Sequence, residues 1–134
     1  MNQANLIQQA ASVLNPQLID KKHDGHAANV ACALEAANGE IFTGVCIGGY
    51  LSVCAEQTAL ANMLSQTGSV VKQLVAVWRD ETDELYVLPP CGRCREFLRV
   101  LSQDNLEADI ILGKDHAVKL KDLLPYHGWH AEKA

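Results

Sequence analysis

Two short stretches decide the expected fold and chemistry of this chain: Cys54-Ala55-Glu56 and Pro90-Cys91-Gly92-Arg93-Cys94. Runs rich in helix-forming residues and free of glycine and proline follow them, at residues 55–63 and 95–101. The cysteines are therefore expected in the first turns of two helices, where unpaired N–H groups and the helix dipole favour thiolates. Three thiolates hold zinc and leave one tetrahedral position for water. The carboxyl of Glu56 is placed to move the protons of that water.

The length and composition indicate a single globular domain over residues 1–134. Hydrophobic residues make up 49% and charged residues 20% of the 134, a balance that excludes a disordered chain. The formal net charge is −5 and no run of Lys or Arg is present. A polynucleotide partner needs a basic face, so we expect a small-molecule substrate and no nucleic acid.

The cysteine count and the hydropathy pattern point to a location. No apolar stretch is long enough to span a membrane, and we find no signal peptide, so no membrane partner is expected. Five cysteines, an odd number, in such a chain favour metal binding in a reducing compartment over disulfides. We therefore expect a cytoplasmic protein.

The hydrophobic pattern predicts an α/β fold in which a mixed five-stranded sheet is flanked by helices. Helices are predicted at residues 3–14, 53–66 and 92–101, and a polar loop at 20–25. Extended segments are predicted at residues 29–34, 41–46, 74–78, 85–88, 109–112 and 118–120. The small side chains at 31–33 indicate a strand pressed closely against a helix.

The order Cys-x-Glu and then Pro-Cys-x-x-Cys resembles the signature of zinc-dependent nucleobase deaminases in its three-cysteine form. The chain is similar to the cytidine deaminase superfamily and, within it, to the blasticidin S deaminases, which residues 39–45, 90–95 and 123–125 also resemble. The resemblance runs in order across about residues 25–130. It implies a three-layer cytidine deaminase-like fold, a Zn²⁺ cofactor and a homotetramer (or homodimer).

The same resemblance implies residue roles. Glu56 would carry protons, the backbone N–H of Ala55 would bind the ring carbonyl, and the carbonyl of Pro89 would accept from the leaving amine. Gln57 stands where many cytidine deaminases have an arginine. The compensation of the negative thiolate centre then falls to Arg93 or Arg95 and to the helix N-termini.

The residues expected to bind the substrate differ from the family pattern. Cytidine deaminases grip ribose hydroxyls with an Asn and, two residues later, a Glu; here those positions hold Cys46 and Gly48. We therefore expect a small amino-substituted heterocycle, with plain cytidine disfavoured. Tyr126 and Trp129 either stack on the substrate or anchor the C-terminus.

Other interpretations of the same residues stay open. Cys91 and Cys94 alone could form a redox pair or half of a structural zinc site. Cys46 could be a fourth zinc ligand, which would leave no coordination position for water. His26 could contact the substrate. The chain could then be a non-catalytic zinc-stabilised binding module, or a deaminase of bases within RNA or DNA, which its negative charge disfavours.

Overall fold

A computed structural model of the chain describes residues 1–22, 24–49, 52–128 and 132–134. No helix within these ranges is long and apolar enough to cross a membrane. The elements, in order, are α1 (Gln3–Ala11), β1 (Gln17–Asp20), β2 (Gly25–Ala36), β3 (Ile41–Ile47), α2 (Ala55–Gln66), β4 (Val71–Arg79), β5 (Leu85–Leu88), α3 (Gly92–Leu101), β6 (Asp109–Gly113) and β7 (His116–Lys119), with short 3-10 helices at Gln103–Glu107 and Leu120–Leu123.

The strands form one mixed sheet in the order β1-β2-β4-β6-β7, with β3 paired to β2 and β5 paired to β4. The β4–β6 pair is parallel, and the other pairs are antiparallel. The mixed α/β prediction is confirmed, but the predicted number of five strands was wrong, because the described residues form a sheet of seven.

Strand β1 was not predicted, and the predicted loop at 20–25 is shorter because β2 already begins at Gly25. Leu18 and Ile19 of β1 are more than half exposed, so no buried periodicity marks this strand in the sequence. Its hydrogen-bonding partner is the first part of β2, where Gln17 lies opposite Ala27. The strand therefore depends on tertiary pairing.

Alternate residues of the central strands face two different helix layers. On one face, a cluster that includes Cys32, Leu34 and Leu74 packs with residues of α2 and α3 such as Leu60 and Leu98. On the other face lies α1, whose apolar side packs on a second group of buried side chains: Ala31, Ala33, Val75, Val77 and Ile111. The three-layer prediction is thereby confirmed.

The helices begin and end where local pairing allows. The α3 prediction of 92–101 is confirmed. Helix α2 begins at Ala55 and not at residue 53, because Val53 is held in an isolated β-bridge with Ile47 through backbone bonds of 2.8 and 3.0 Å. Helix α1 ends at Ala11 and not at residue 14.

Candidate active site

The cysteines of the two quoted stretches meet in space although Cys54 and Cys91 are 37 positions apart in the sequence. Cys54 is the N-cap of α2 and Cys91 the N-cap of α3, and Cys94 lies buried in the first turn of α3. Their Sγ atoms all lie within 4.8 Å of one another. The sheet thus brings two helix N-termini together at one point.

The sulfur spacing fits a zinc ion. The Sγ atoms of Cys54 and Cys91 are 3.8 Å apart, and those of Cys91 and Cys94 are 3.5 Å apart. Tetrahedral bonds of about 2.3 Å from zinc to sulfur place two sulfurs about 3.8 Å apart. The thiols therefore need little movement to share one cation.

The carboxyl of Glu56 lies beside this cluster. Its residue is only 5% exposed, although ionised glutamates are rarely buried without a partner. Burial raises the pKa of Glu56, against the opposing effects of its own backbone N–H and of a hydrogen bond from Cys94. A buried carboxyl whose pKa is raised suits general acid–base work.

The three thiols differ in how their positions at the helix N-termini shift their pKa. Burial would raise the pKa of Cys91, but N–H groups of Cys94 and Arg93, together with the neighbouring thiols, bring that pKa below its ordinary value. Burial raises the pKa of Cys54 and, with the nearby Glu56 carboxylate, raises that of Cys94 strongly. Several acidic groups crowded together need a cation to ionise together.

A cleft of about 290 Å³ opens next to the cluster, and Cys54, Glu56 and Cys91 line it. The remaining lining is mostly apolar, which suits a flat heterocycle better than a charged ligand. These other lining residues are Val30, Cys46, Ile47, Gly48, Ser52, Val53, Ala55, Ala76, Leu88 and Pro89.

The cleft brings together most of the residues that the sequence singled out for substrate binding. Ala55 is the first residue of α2, so its N–H belongs to the helix turn that has no intrahelical acceptors. Pro89 and Cys46 line the same cleft. Tyr126 is 91% exposed and is not among the residues that line the cleft. Trp129 lies outside the described residues.

Cys46 has a partner that the sequence did not reveal. Its thiol donates to Oδ1 of Asn29 at 3.0 Å, and it is not part of the three-sulfur cluster. Asn29 reaches it because β2 carries extra residues between Ala27 and Ala31, where the pairing with β3 shifts. The bulge includes Ala28 at a φ of 58°. An alanine gives no sequence signal for such a conformation.

Gln57 and the two arginines occupy distinct positions. The Oε1 atom of Gln57 accepts the backbone N–H of Cys54 at 3.1 Å and so caps α2, where the spacing Cys54-x-x-Gln57 is that of a capping box. Arg93 is exposed at the start of α3. Arg95 is half-buried and donates from Nε to the carbonyl of Pro90 and from Nη1 to that of Leu123, at 2.8 and 3.3 Å.

A family comparison identifies this arrangement. A model of the cytidine and deoxycytidylate deaminase zinc-binding region matches residues 6–107, well over half of the chain. The chain belongs to this deaminase family. The resemblance drawn from the motifs is confirmed, and the deaminase is a zinc-dependent hydrolytic enzyme, so the non-catalytic binding module is not favoured.

Individual relatives agree with this assignment. Blasticidin-S deaminase of Bacillus cereus is 29% identical over 127 residues, which cover 90% of this deaminase and 87% of the relative. Cytidine deaminase of Mycoplasma pneumoniae is 33% identical over 93 residues, 67% of each chain. The crystal structure of cytidine deaminase from Mycobacterium tuberculosis shares the fold with a TM-score of 0.72 at 25% identity, over 94% of this chain and 96% of that one.

Proposed function

We propose that this deaminase releases ammonia from a small amino-substituted nitrogen heterocycle, with Cys54, Cys91 and Cys94 as the zinc ligands and Glu56 as the proton carrier. One observation carries the proposal: three sulfur atoms at the spacing of a tetrahedral site and a buried carboxyl converge at one cleft. Zinc held by three protein ligands acidifies a water at its open position.

The chain's own groups perform the proton transfers. Glu56 takes a proton from the attacking water and passes it to the ring nitrogen, and then a second proton to the amine. The carbon that carried the amino group gains a carbonyl oxygen, and the C–N bond breaks to give ammonia. The N–H of Ala55 holds the ring carbonyl, and the carbonyl of Pro89 accepts from the departing amine.

The lining favours a substrate without ribose. Where a ribose-binding site would place an amide and a carboxylate, this cleft has Cys46 and Gly48. The thiol of Cys46 already donates its hydrogen bond to Asn29. Each missing hydrogen bond weakens binding by about 1 kcal/mol. Cytosine-like bases and compounds related to blasticidin S are therefore better candidates than cytidine. Tyr126 does not line the cleft of its own chain, so it would stack on the substrate of a neighbouring subunit.

We also propose that the chain acts in the cytoplasm, as one domain within a homotetramer or homodimer. None of the five cysteines forms a disulfide, which is usual in a reducing compartment. Exposed apolar side chains offer surface for self-association, among them Leu18 and Ile19 of β1 and Val100 of α3. Light scattering of the protein as it elutes from a gel-filtration column measures the mass of the assembly and hence the number of subunits.

The test is an ammonia-release screen of the zinc-loaded protein with cytosine, cytidine, blasticidin S and guanine. The Glu56→Gln variant should keep its zinc and its circular dichroism spectrum but lose at least about a hundredfold in kcat. Glu81→Gln, at an exposed turn, is the matched control and should match the wild type. Equal turnover by Glu56→Gln, or cytidine as the preferred substrate, would refute the corresponding part of the proposal.

A further inference from the structure

We propose that Arg95 is a positioning residue that fixes the loop before Cys91 by joining it to the C-terminal segment (residues 120–128). This role replaces the counter-charge expected from the sequence. The inference rests on the proposed function in one respect: it takes Cys91 and Cys94 as metal ligands.

The contacts of Arg95 surround the start of α3. Its backbone N–H donates to the carbonyl of Cys91 at 3.0 Å, which is the first bond of the helix. Its side-chain Nε donates to the carbonyl of Pro90 at 2.8 Å. One residue thus holds the carbonyls of Pro90 and Cys91, which flank the Cα atom of Cys91.

The Pro90–Cys91 peptide needs support from outside the loop. Cys91 is an extended N-cap, with φ −68° and ψ 167°, and its side chain makes no capping hydrogen bond. Proline has no backbone N–H, so Pro89 and Pro90 cannot tie the loop down through donors of their own. The orientation of the Cys91 thiol toward the cluster therefore depends on what holds the Pro90 carbonyl.

The second donor of Arg95 reaches a distant part of the chain. Nη1 donates to the carbonyl of Leu123 at 3.3 Å, across 28 positions of sequence. The C-terminal segment also lies along α3 further on, where Gly128 faces the guanidinium of Arg99. The fork of an arginine can serve two carbonyls in fixed directions, whereas the single ammonium of a lysine is a point charge.

The acceptors of Arg95 argue against a counter-charge role. Both are neutral backbone carbonyls, so the side chain is oriented by the loop and the C-terminal segment. The Cys91 sulfur instead receives N–H groups from the first turn of α3. Substitutions of Arg95 can therefore separate the effect of its positive charge from the effect of its hydrogen-bond geometry.

The experiment compares Arg95→Lys and Arg95→Gln in the full chain with the control Arg79→Lys, where the arginine donates to the carbonyl of Asp83 at 3.1 Å, away from the sulfur cluster. Zinc affinity is measured by competition with a chelator, and the cobalt-substituted protein gives an absorption spectrum that reports ligand geometry. Outer-shell partners of metal ligands are worth about 10–100-fold in affinity. Arg95→Lys and Arg95→Gln should both lose about tenfold or more in zinc affinity and change the cobalt spectrum, while Arg79→Lys should match the wild type.

The outcomes separate the alternatives. Wild-type affinity in Arg95→Lys together with a loss in Arg95→Gln would show a counter-charge and overturn the inference, as would no change in either. These readouts need no substrate, so they do not depend on finding one. A wild type that binds no zinc would overturn the proposed function as well.

A second measurement covers variants that do not fold. Hydrogen exchange of the wild type is followed with and without zinc. Because Arg95 joins the two regions, removing zinc should increase exchange at residues 120–124 together with residues 91–95. Hydrogen exchange at residues 120–124 that is the same with and without zinc would contradict the proposed link between the C-terminal segment and the start of α3.

Discussion

Strand β3 and helix α2 touch backbone to backbone at Gly44 and Ala59. A methyl group added to Gly44 would overlap the amide nitrogen of Ala59 and would lie 2.8 Å from Cβ of Thr58. Only glycine allows this approach, and α2 is the helix that carries Cys54 and Glu56 at its start. The packing of the sheet therefore sets the position of half of the site.

Gly44→Ala should lower the free energy of unfolding by about 2 kcal/mol or more, because backbone atoms cannot move aside as a flexible side chain can. Urea unfolding measures the change. Gly68→Ala is the matched control, since a methyl group there meets nothing within 4 Å. Similar stability of the two variants would show that α2 moves freely against β3.

A second prediction concerns Glu35, which is 8% exposed and accepts from Gln73 at 2.8 Å. That hydrogen bond, together with the amino group of Met1 and Lys72, holds the pKa of Glu35 below its ordinary value. Stabilisation from a lowered carboxyl pKa is present above the unfolded-state pKa and is lost as the pH falls through the folded-state pKa.

Glu35→Gln should therefore cost about 1 kcal/mol at pH 7, and the cost should shrink below about pH 4.3. Urea unfolding at pH 7 and pH 3 measures the difference, with Glu81→Gln as the exposed control. A deficit of the same size at both pH values would mean that the carboxylate charge contributes nothing.

Sequence reasoning predicted the parts of this fold that local pattern encodes. The existence of α2 and α3 follows from the cysteine-led helical runs, although α2 starts two residues later than predicted. The buried strand around Val75 and Val77 follows from its continuous apolar character. The three-cysteine motif also indicated zinc and the deaminase chemistry. These features need only short stretches of chain.

The parts that sequence reasoning missed depend on contacts between distant residues. Asn105 is fully buried because its side chain accepts from Val71 and donates to the carbonyls of Ser69 and Leu98, at 2.8, 2.9 and 2.8 Å. No pattern in the sequence around Asn105 predicts that its side chain is buried and makes these hydrogen bonds. The Asn29–Cys46 bond depends likewise on a bulge that an alanine would not suggest.

A third prediction separates metal ligands from the other cysteines. Cys91→Ser should lose tightly bound zinc, because a hydroxyl is not ionised near neutral pH as a thiol can be. Cys46→Ser should keep one zinc per chain, since its thiol is bonded to Asn29 and lies outside the sulfur cluster. Metal analysis after gel filtration measures both; zinc loss in Cys46→Ser would make that thiol a ligand.

The central claim is that zinc is held by three sulfur atoms and keeps one position for water. X-ray absorption at the zinc edge, on the zinc-loaded wild type without substrate, counts the ligands directly. The claim predicts three sulfurs at about 2.3 Å and one lighter ligand at about 2.0 Å. Four sulfurs around the zinc would leave no position for water and would contradict it.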